Sequence, residues 1–215
     1  MIAGVAEISL AAPGPLEEWL LAELGALLED PSVRAVLLAA PGPLPNVGLS
    51  SGALRALALF ELPVVFAFEG PLAGPAAELA LAADIRVCSE AASLQGRLAG
   101  NARVRTLADE ATALALFLGR EVMSADALLA AGLVSSVAPA GQSLAEGRRI
   151  AAIIASRGPI ATRLGKEAVW RGLAQPLDQA LRFETDLTLL LQTTKDRAEG
   201  VRAFLEKRAP IFTGE

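Results

Sequence analysis

A chain of 215 residues has the length of a single domain, and it is long enough to bury most of a substantial core. Apolar residues make up 53% of the chain and charged residues 20%, a balance that excludes an intrinsically disordered protein. The formal net charge is −5, which argues against a nucleic-acid-binding surface. No apolar run is long enough for a membrane-spanning helix, and the N-terminus lacks the pattern of a signal peptide. We therefore expect a cytoplasmic protein that crosses no membrane.

Three residue types restrict the chemistry that is open to this chain. It contains no histidine, no tyrosine and one cysteine, Cys88. Without histidine, neither a Ser-His-Asp triad nor a histidine-ligated zinc site can form, and without tyrosine Tyr-Lys dehydrogenase chemistry is excluded. A single cysteine excludes an intrachain disulfide and a cysteine metal cluster, and its apolar neighbours predict a buried strand residue. We therefore expect no metal site, and acid–base chemistry falls to Asp, Glu or Lys.

The N-terminal part predicts a strand, a helix, a second strand and a loop. Residues 6–10 alternate between apolar and polar side chains, as a strand does. Apolar positions at helical spacing predict a helix over residues 16–28. Residues 33–40 are almost all apolar, which predicts a second strand buried on both faces. Strand, helix and strand in this order imply a right-handed crossover, and the residues 41–52, rich in Pro and Gly, then form a loop.

Residues 63–87 predict a strand, a turn of small residues, a short helix and another strand. The apolar residues 64–68 form the first strand, and a Gly-Pro pair ends it. Gly74 is the predicted cap of a helix whose first turn begins with Pro75, where a missing N–H group is tolerated. A helix N-terminus beside strand ends exposes backbone N–H groups that can meet an anionic or polarised oxygen. This stretch is therefore the first candidate for a functional site.

The C-terminal part predicts helices. Apolar residues recur there at helical spacing, and Gly-Pro and Gln-Pro pairs separate the segments. The predicted helices cover residues 144–156, 160–173, 177–192 and 196–207. Upstream of them, Ser124 is the predicted N-cap of a short helix. No internal repeat and no long linker divide the chain, so we expect one domain.

An apolar strand, a glycine, a turn of small residues, Glu-Leu-Ala and Ala-Asp-Ile-Arg follow one another in residues 63–87. This order, together with residues 118–137, resembles the crotonase (enoyl-CoA hydratase/isomerase) superfamily. The resemblance covers nearly the whole chain and implies an α/β fold in which residues 1–140 form a spiral of ββα units. It further implies that the helical residues 141–215 complete the same domain and pack against neighbouring subunits of a homo-trimer or hexamer. The chain resembles a short member with an eroded active site.

The resemblance implies a site that binds the carbonyl oxygen of an acyl thioester and moves protons beside it. Glu78 matches one of the superfamily's two catalytic carboxylates. Val47 matches the first of the two residues whose backbone N–H groups form the oxyanion hole. The second donor position falls on Pro75, which has no N–H group. This donor is therefore lost, unless the N–H group of Ala76 replaces it.

Further positions match substrate-binding residues of that superfamily: Asn46, Gly48, Gly74 and Leu98. Leu98 stands where the resemblance places the second catalytic glutamate, which argues against classical hydration because both carboxylates handle the water. Asp84 is expected to be structural and to bond backbone N–H groups. We expect the other charged side chains near these motifs to be solvated: Glu69, Arg97, Asp109, Glu110, Lys166, Lys195, Lys207 and Arg208.

Three functions stay open at this point. The first is an enzyme of the hydratase/isomerase type, a lyase or isomerase, that acts on an acyl thioester through an enolate-type intermediate with Glu78 as its one carboxylate. The second is a non-catalytic accessory subunit that binds an acyl thioester, a carrier protein or a partner enzyme. The third keeps catalysis but takes the acyl group from a carrier protein, because residues 11–15 match the superfamily's adenine-binding segment poorly. None of them requires a cofactor besides the coenzyme A or carrier that bears the substrate.

Overall fold

The computed structural model describes residues 2–11, 16–42, 44, 49–95, 107–118 and 122–215. Its strands are β1 (Val5–Ser9), β2 (Ala35–Ala40), β3 (Val64–Phe68), β4 (Pro71–Ala73), β5 (Ile85–Ser89), β6 (Ser93–Gln95), β7 (Val122–Ser124) and β8 (Ser136–Ala138). Its helices are α1 (Leu16–Leu28), α2 (Ser51–Ala58), α3 (Gly74–Ala82), α4 (Glu110–Leu118), α5 (Ala125–Ala130), α6 (Ser143–Ala155), α7 (Pro159–Gly172), α8 (Leu177–Gln192) and α9 (Lys195–Leu205).

Within the described residues, five parallel strands form the larger sheet in the order β1-β2-β3-β5-β8. All residues of β2 and β3 are buried, as their apolar sequences predict. Successive side chains of a strand point to opposite faces of the sheet. Val36, Leu38 and Phe66 therefore pack with α1, α2 and α3, whereas Leu37 and Val65 belong to the core on the α6 face. The larger sheet thus has helices on both faces.

Helix α6 packs closely on its face of the sheet at Gly147. A Cβ atom at this position would lie 2.9 Å from the Cβ atom of Ala67 and 3.0 Å from the Cδ1 atom of Leu37. Both distances are shorter than an ordinary carbon–carbon contact. Glycine at position 147 therefore permits the close approach of α6 to the sheet.

Helix α3 lies on the opposite face and joins β3 to β5 through the short strand β4. The strand β4 pairs with β6, and β6 pairs with β7, to form a smaller sheet. Residues of α3 from Ala76 to Ala82 are all buried. Because β3 and β5 are parallel neighbours, α3 begins at the carboxyl side of β3 and returns to the amino side, where the Asp84 N–H group bonds the carbonyl oxygen of Val64.

The C-terminal segment folds back and holds α9 against the rest of the chain. The buried carboxylate of Asp196 accepts hydrogen bonds from the N–H groups of Thr213 (2.7 Å) and Gly214 (3.0 Å). The side chain of Arg34, just before β2, donates to the carbonyl oxygen of Phe212 at 2.7 Å. These bonds tie the chain end both to α9 and to the sheet.

Several predictions of local structure are confirmed. The helices over residues 16–28 and 177–192 have the predicted bounds. Ser124 is the N-cap of α5, and its Oγ atom accepts a hydrogen bond from the Ala127 N–H group at 3.4 Å. The division of the domain near residue 140 stays a prediction. No helix of the described ranges is long and apolar enough to cross a bilayer.

Candidate active site

The N-terminus of α3 is built from small residues. Ala73 is its N-cap, with an extended backbone, and the helix begins at Gly74. The predicted cap at Gly74 is therefore wrong by one residue. Gly74 has a φ of +51°, a left-handed conformation that glycine adopts without a Cβ penalty. This conformation explains why a glycine stands at the turn from β4 into α3.

The first turn of α3 lacks one of its usual hydrogen-bond donors. The first four N–H groups of a helix have no partner within the helix, and they can bind an oxygen outside it. In α3 these positions run from Ala73 to Ala76, and Pro75 among them has no N–H group. The N–H groups of Gly74 and Ala76 flank the proline. The first turn therefore retains donors on either side of the position that the resemblance assigns to the oxyanion hole.

Glu78 lies one turn further along the same helix. Its side chain is only 6% exposed, within a helix whose other residues from Ala76 to Ala82 are apolar. Residues four apart share a helix face, and helical side chains lean toward the N-terminus. From this geometry we expect the carboxylate of Glu78 to lie on the helix face that begins at Gly74. The structure brings together Glu78, Gly74 and Ala76, three of the predicted site residues.

The other predicted site residues lie outside the described residues. They are Asn46, Val47, Gly48 and Leu98. Their roles in the oxyanion hole and in substrate binding stay predictions. Arg97, which we expected to be solvated, lies outside the described residues as well.

Asp84, directly after α3, is structural, as predicted, but its partners are more numerous than expected. Its carboxylate accepts a hydrogen bond from the Val64 N–H group at 2.8 Å. The same carboxylate accepts a bond from the Trp170 Nε1 atom at 3.1 Å and forms an ion pair with the Lys166 Nζ atom at 2.6 Å. The prediction of a solvated Lys166 is therefore wrong, because its side chain is only 10% exposed and is paired.

The buried side chain of Arg86 was not recognised in the sequence. Its Nη1 atom donates to the carbonyl oxygen of Ala83 at the end of α3, and its Nε atom donates to the carbonyl oxygen of Leu133, each at 2.6 Å. Burial lowers the pKa of the guanidinium to about 10, although the charge of Asp84 opposes this shift. An arginine within an apolar strand is the signal that could have indicated this role. Arg86 satisfies a carbonyl group that the end of the helix leaves without a partner.

Cys88 is a buried strand residue, as predicted. It is fully inaccessible within β5. Burial raises the pKa of its thiol to about 11, and the nearby charges of Asp126 and Glu69 act in the same direction. The thiol is therefore protonated at neutral pH and does not provide a nucleophile.

Glu69 is not a solvated charge, contrary to the prediction. Its carboxylate accepts hydrogen bonds from the N–H groups of Gly141 (2.9 Å) and Ser143 (2.8 Å) and from the Ser143 hydroxyl group. Burial alone would raise the pKa of this carboxyl group, but these hydrogen bonds outweigh it and lower the pKa below its ordinary value of 4.5. Glu69 therefore links the end of β3 to the start of α6 and is directed away from α3.

Glu69→Gln is expected to reduce the free energy of unfolding at pH 7 by about 1–2 kcal/mol, because charge-assisted hydrogen bonds are replaced by neutral ones. A carboxylate whose pKa is lowered by folding stabilises fully above its unfolded pKa, and this contribution is lost as the pH falls through the folded pKa. The difference from the native protein should therefore shrink below about pH 4.5. Urea unfolding at several pH values measures it. Glu61→Gln, at an exposed side chain, is the control, and an equal effect of both substitutions would contradict the prediction.

Comparison with known proteins identifies the family. A family model described as enoyl-CoA hydratase/isomerase matches residues 50–215. The chain belongs to the enoyl-CoA hydratase/isomerase family. The match includes Pro75 and Glu78 and begins after Val47, the predicted first oxyanion donor.

Individual members of the enoyl-CoA hydratase/isomerase family are similar to this chain in sequence and in structure. The crotonyl-CoA hydratase of Syntrophomonas wolfei is 32% identical over 173 residues, which are 76% of this chain and 66% of that protein. The (E)-benzylidenesuccinyl-CoA hydratase of Thauera aromatica is 34% identical over 162 residues, which are 71% of this chain and 63% of that protein. The chain thus spans about two thirds of the length of these relatives.

Solved structures of the family confirm the predicted fold class. The crystal structure of an enoyl-CoA hydratase from Bacillus anthracis is similar with a TM-score of 0.90 at 29% sequence identity, and the similarity covers 99% of this chain and 96% of that one. The prediction of a crotonase-like α/β fold with a helical C-terminal part is therefore confirmed.

Proposed function

We propose that this chain is an enzyme that shifts a proton on an acyl-CoA thioester through an enolate, with Glu78 as its single carboxylate. The observation that carries the proposal is the position of Glu78, which is buried and lies one turn after Gly74 on α3. A base and nearby hydrogen-bond donors are the two elements that enolate formation requires. The names of the family relatives, which are CoA hydratases, support the substrate class.

The proposed reaction needs one acid–base group. The carboxylate of Glu78 removes a proton from the carbon beside the thioester carbonyl group, and the electron pair moves onto the carbonyl oxygen to form the enolate. Protonated Glu78 then returns the proton to the γ-carbon of a 3-enoyl thioester, and the product is the 2-enoyl isomer. No atom is gained or lost, so the step requires neither water nor a cofactor. Leu98 has no side-chain oxygen to hold a water molecule, which favours this isomerisation over hydration.

The proposed oxyanion hole uses backbone donors. The resemblance supports the Val47 N–H group as the first donor. The second donor is the N–H group of Ala76, because Pro75 has none and α3 leaves the Ala76 N–H group without a helical partner. Asn46, Gly48, Gly74 and Leu98 are proposed to surround the substrate.

A second candidate is a non-catalytic accessory protein that binds the thioester without turning it over. Pro75 at a donor position and Leu98 at a carboxylate position favour it, because each removes a group that catalysis uses. Loss of one oxyanion donor alone lowers a rate by about a hundredfold or more. The two candidates therefore differ in turnover and agree in binding.

An assay of the purified protein tests the proposal. The substrates are 3-enoyl, 2-enoyl and 3-hydroxyacyl thioesters, each carried by CoA and by pantetheine, and the native protein is compared with Glu78→Gln. Isomerisation of 3-enoyl-CoA that depends on Glu78 supports the proposal. Binding without turnover supports the accessory protein, and equal rates with CoA and pantetheine carriers would point to an acyl-carrier substrate. A cytoplasmic location stays a prediction.

We further propose that the chain forms a homo-trimer or hexamer through α8 and α9. Large apolar side chains are exposed on these helices, and Phe204, at 82%, is the most exposed of them. The others include Leu177, Leu189, Leu190 and Leu205. Exposed apolar patches of this kind mark interaction surfaces. Light scattering is expected to show a mass three or six times that of one chain, and a monomer would contradict the proposal.

A further inference from the structure

The end of α3 is attached to α7 by a compact polar cluster, the Asp84 cluster, which consists of Asp84, Lys166 and Trp170. Asp84 directly follows Ala83, the C-cap of α3. Its carboxylate receives the Lys166 Nζ atom at 2.6 Å and the Trp170 Nε1 atom at 3.1 Å. The cluster therefore joins the helix that carries Glu78 to α7, the second of the C-terminal helices.

The Asp84 cluster also forms hydrogen bonds to the beginning of β3 and to the residues just before it. The Val64 N–H group donates to the Asp84 carboxylate at 2.8 Å, and the Lys166 Nζ atom donates to the carbonyl oxygen of Leu62 at 2.9 Å. The side chains of Lys166 and Asp84 are 10% and 16% exposed. Charges that are shielded from water interact strongly, and several directed bonds give them a defined geometry. The Asp84 cluster thus holds α3, β3 and α7 in one arrangement.

Apart from the Asp84 cluster, α7 packs mainly against α8 and makes few contacts with α3 and the sheet. No residue of this helix, all of which is described, is fully buried. Lys166 and Trp170 line two cavities, of about 400 Å³ and about 560 Å³, between α7 and the surrounding chain. Because of this open space, few close contacts join α7 to α3 and β3 apart from these polar bonds. Loss of a bond in the Asp84 cluster should therefore displace the C-terminal end of α3.

We infer that the Asp84 cluster positions α3, and through it Glu78, and so couples the C-terminal helices to the candidate active site. The inference rests on the proposed role of Glu78. Glu78 lies four residues before Ala82, the last residue of α3, or about 6 Å along a helix that rises 1.5 Å per residue, and Asp84 follows Ala82 by two residues. A short helix moves as a unit, so a displacement of its C-terminal end displaces Glu78 as well. A catalytic group that moves by about 1 Å can lose a large part of its rate.

Lys166→Met tests the inference, with Arg163→Met as the matched control. Both residues lie on α7, but Arg163 is exposed and its ion pair with Glu61 is long, at 3.8 Å. Hydrogen exchange reports on α3 without requiring activity. We expect Lys166→Met to raise the exchange rate of α3 about tenfold and to change that of β1 less than about twofold, because the loss of protection is local. Arg163→Met should leave both rates unchanged.

Kinetics supply a second readout. Lys166→Met is expected to lower kcat about tenfold and to change KM less than about twofold, since the substrate still binds while Glu78 is displaced. Trp170→Phe, which keeps the ring and loses one hydrogen bond, should produce the same pattern to a smaller extent. If Lys166→Met does not fold, Trp170→Phe still tests the inference.

Two results would overturn the inference. One is equal exchange in α3 for Lys166→Met and Arg163→Met, and the other is an equal rise in α3 and β1, which would indicate a general loss of stability. Absence of turnover in the native protein would refute the proposed function and not the inference, because hydrogen exchange would still show whether the cluster holds α3.

Discussion

Replacing Glu78 with glutamine is expected to lower kcat about a thousandfold on a 3-enoyl-CoA thioester. Glutamine has nearly the same shape as glutamate, but its amide cannot accept the proton that the reaction removes. General base catalysis contributes about 10²–10⁴ to a rate, which sets the size of the effect. Glu78 is only 6% exposed, so water does not easily replace it as a base. Steady-state rates of the native protein and the variant measure the loss.

Binding of the thioester should change much less than turnover in Glu78→Gln. The variant retains the backbone donors of the first turn of α3, which we propose bind the carbonyl oxygen. Calorimetric titration with a saturated acyl-CoA, which keeps the thioester carbonyl group but has no double bond to move, is expected to give dissociation constants within about threefold of each other, since only the transition state loses an interaction. Glu110→Gln, at an exposed carboxylate of α4, is the control and should keep the native kcat. A native rate in Glu78→Gln would remove Glu78 from the mechanism.

Replacing Pro75 with alanine is expected to raise kcat/KM about 10–100-fold, because an additional oxyanion donor of this kind contributes about two orders of magnitude. Alanine adds an N–H group within the first turn of α3 and accommodates the helical backbone. The new donor occupies the position that the resemblance assigns to the oxyanion hole. Unlike most substitutions in a candidate site, this one is predicted to increase activity.

A second helix in the chain provides the control for Pro75→Ala. Pro159 stands in the first turn of α7, as Pro75 stands in that of α3. Pro159→Ala therefore adds the same N–H group at a helix start far along the chain, and it is expected to leave kcat/KM unchanged. Equal kinetics of Pro75→Ala and the native protein would show that the enolate oxygen does not bind at position 75. If the native protein has no turnover and Pro75→Ala gains it, the proline at position 75 is the cause of the inactivity.

Much of the fold follows from local patterns in the sequence. The apolar run at residues 33–40 predicts a strand buried on both faces, which the structure has over residues 35–40, and helical spacing predicts α1 and α8 with their observed bounds. Ser124 is recognised as an N-cap because its side chain bonds an N–H group three residues away. Each of these features depends on neighbours within one turn or one strand, so the sequence alone contains the information.

One part of the candidate site could be predicted from the sequence, and the other part is decided by the tertiary structure. Glu78 and Pro75 are found from the sequence, because residues 63–87 resemble the family's motif and the resemblance assigns a catalytic carboxylate and an oxyanion donor to these two positions. The start of the helix at Gly74, with Ala73 as its cap, is decided by the backbone conformation of the turn. The burial of the Glu78 side chain is likewise decided by the tertiary packing around α3.

The long-range polar contacts were decided by the tertiary structure alone. Glu69 bonds Ser143, which is 74 residues away, and Asp84 bonds Trp170, which is 86 residues away. In the sequence Glu69 looks like a surface residue, since charged side chains are mostly exposed, and nothing near Asp84 in the sequence indicates Trp170 as its partner. Both carboxylates are partly buried, because packing of α6 and α7 brings donors and acceptors together, and an unpaired charge would be costly there. The sequence by itself therefore determined the family, the elements and the candidate base, whereas only the tertiary structure decided how the helix that carries Glu78 is held.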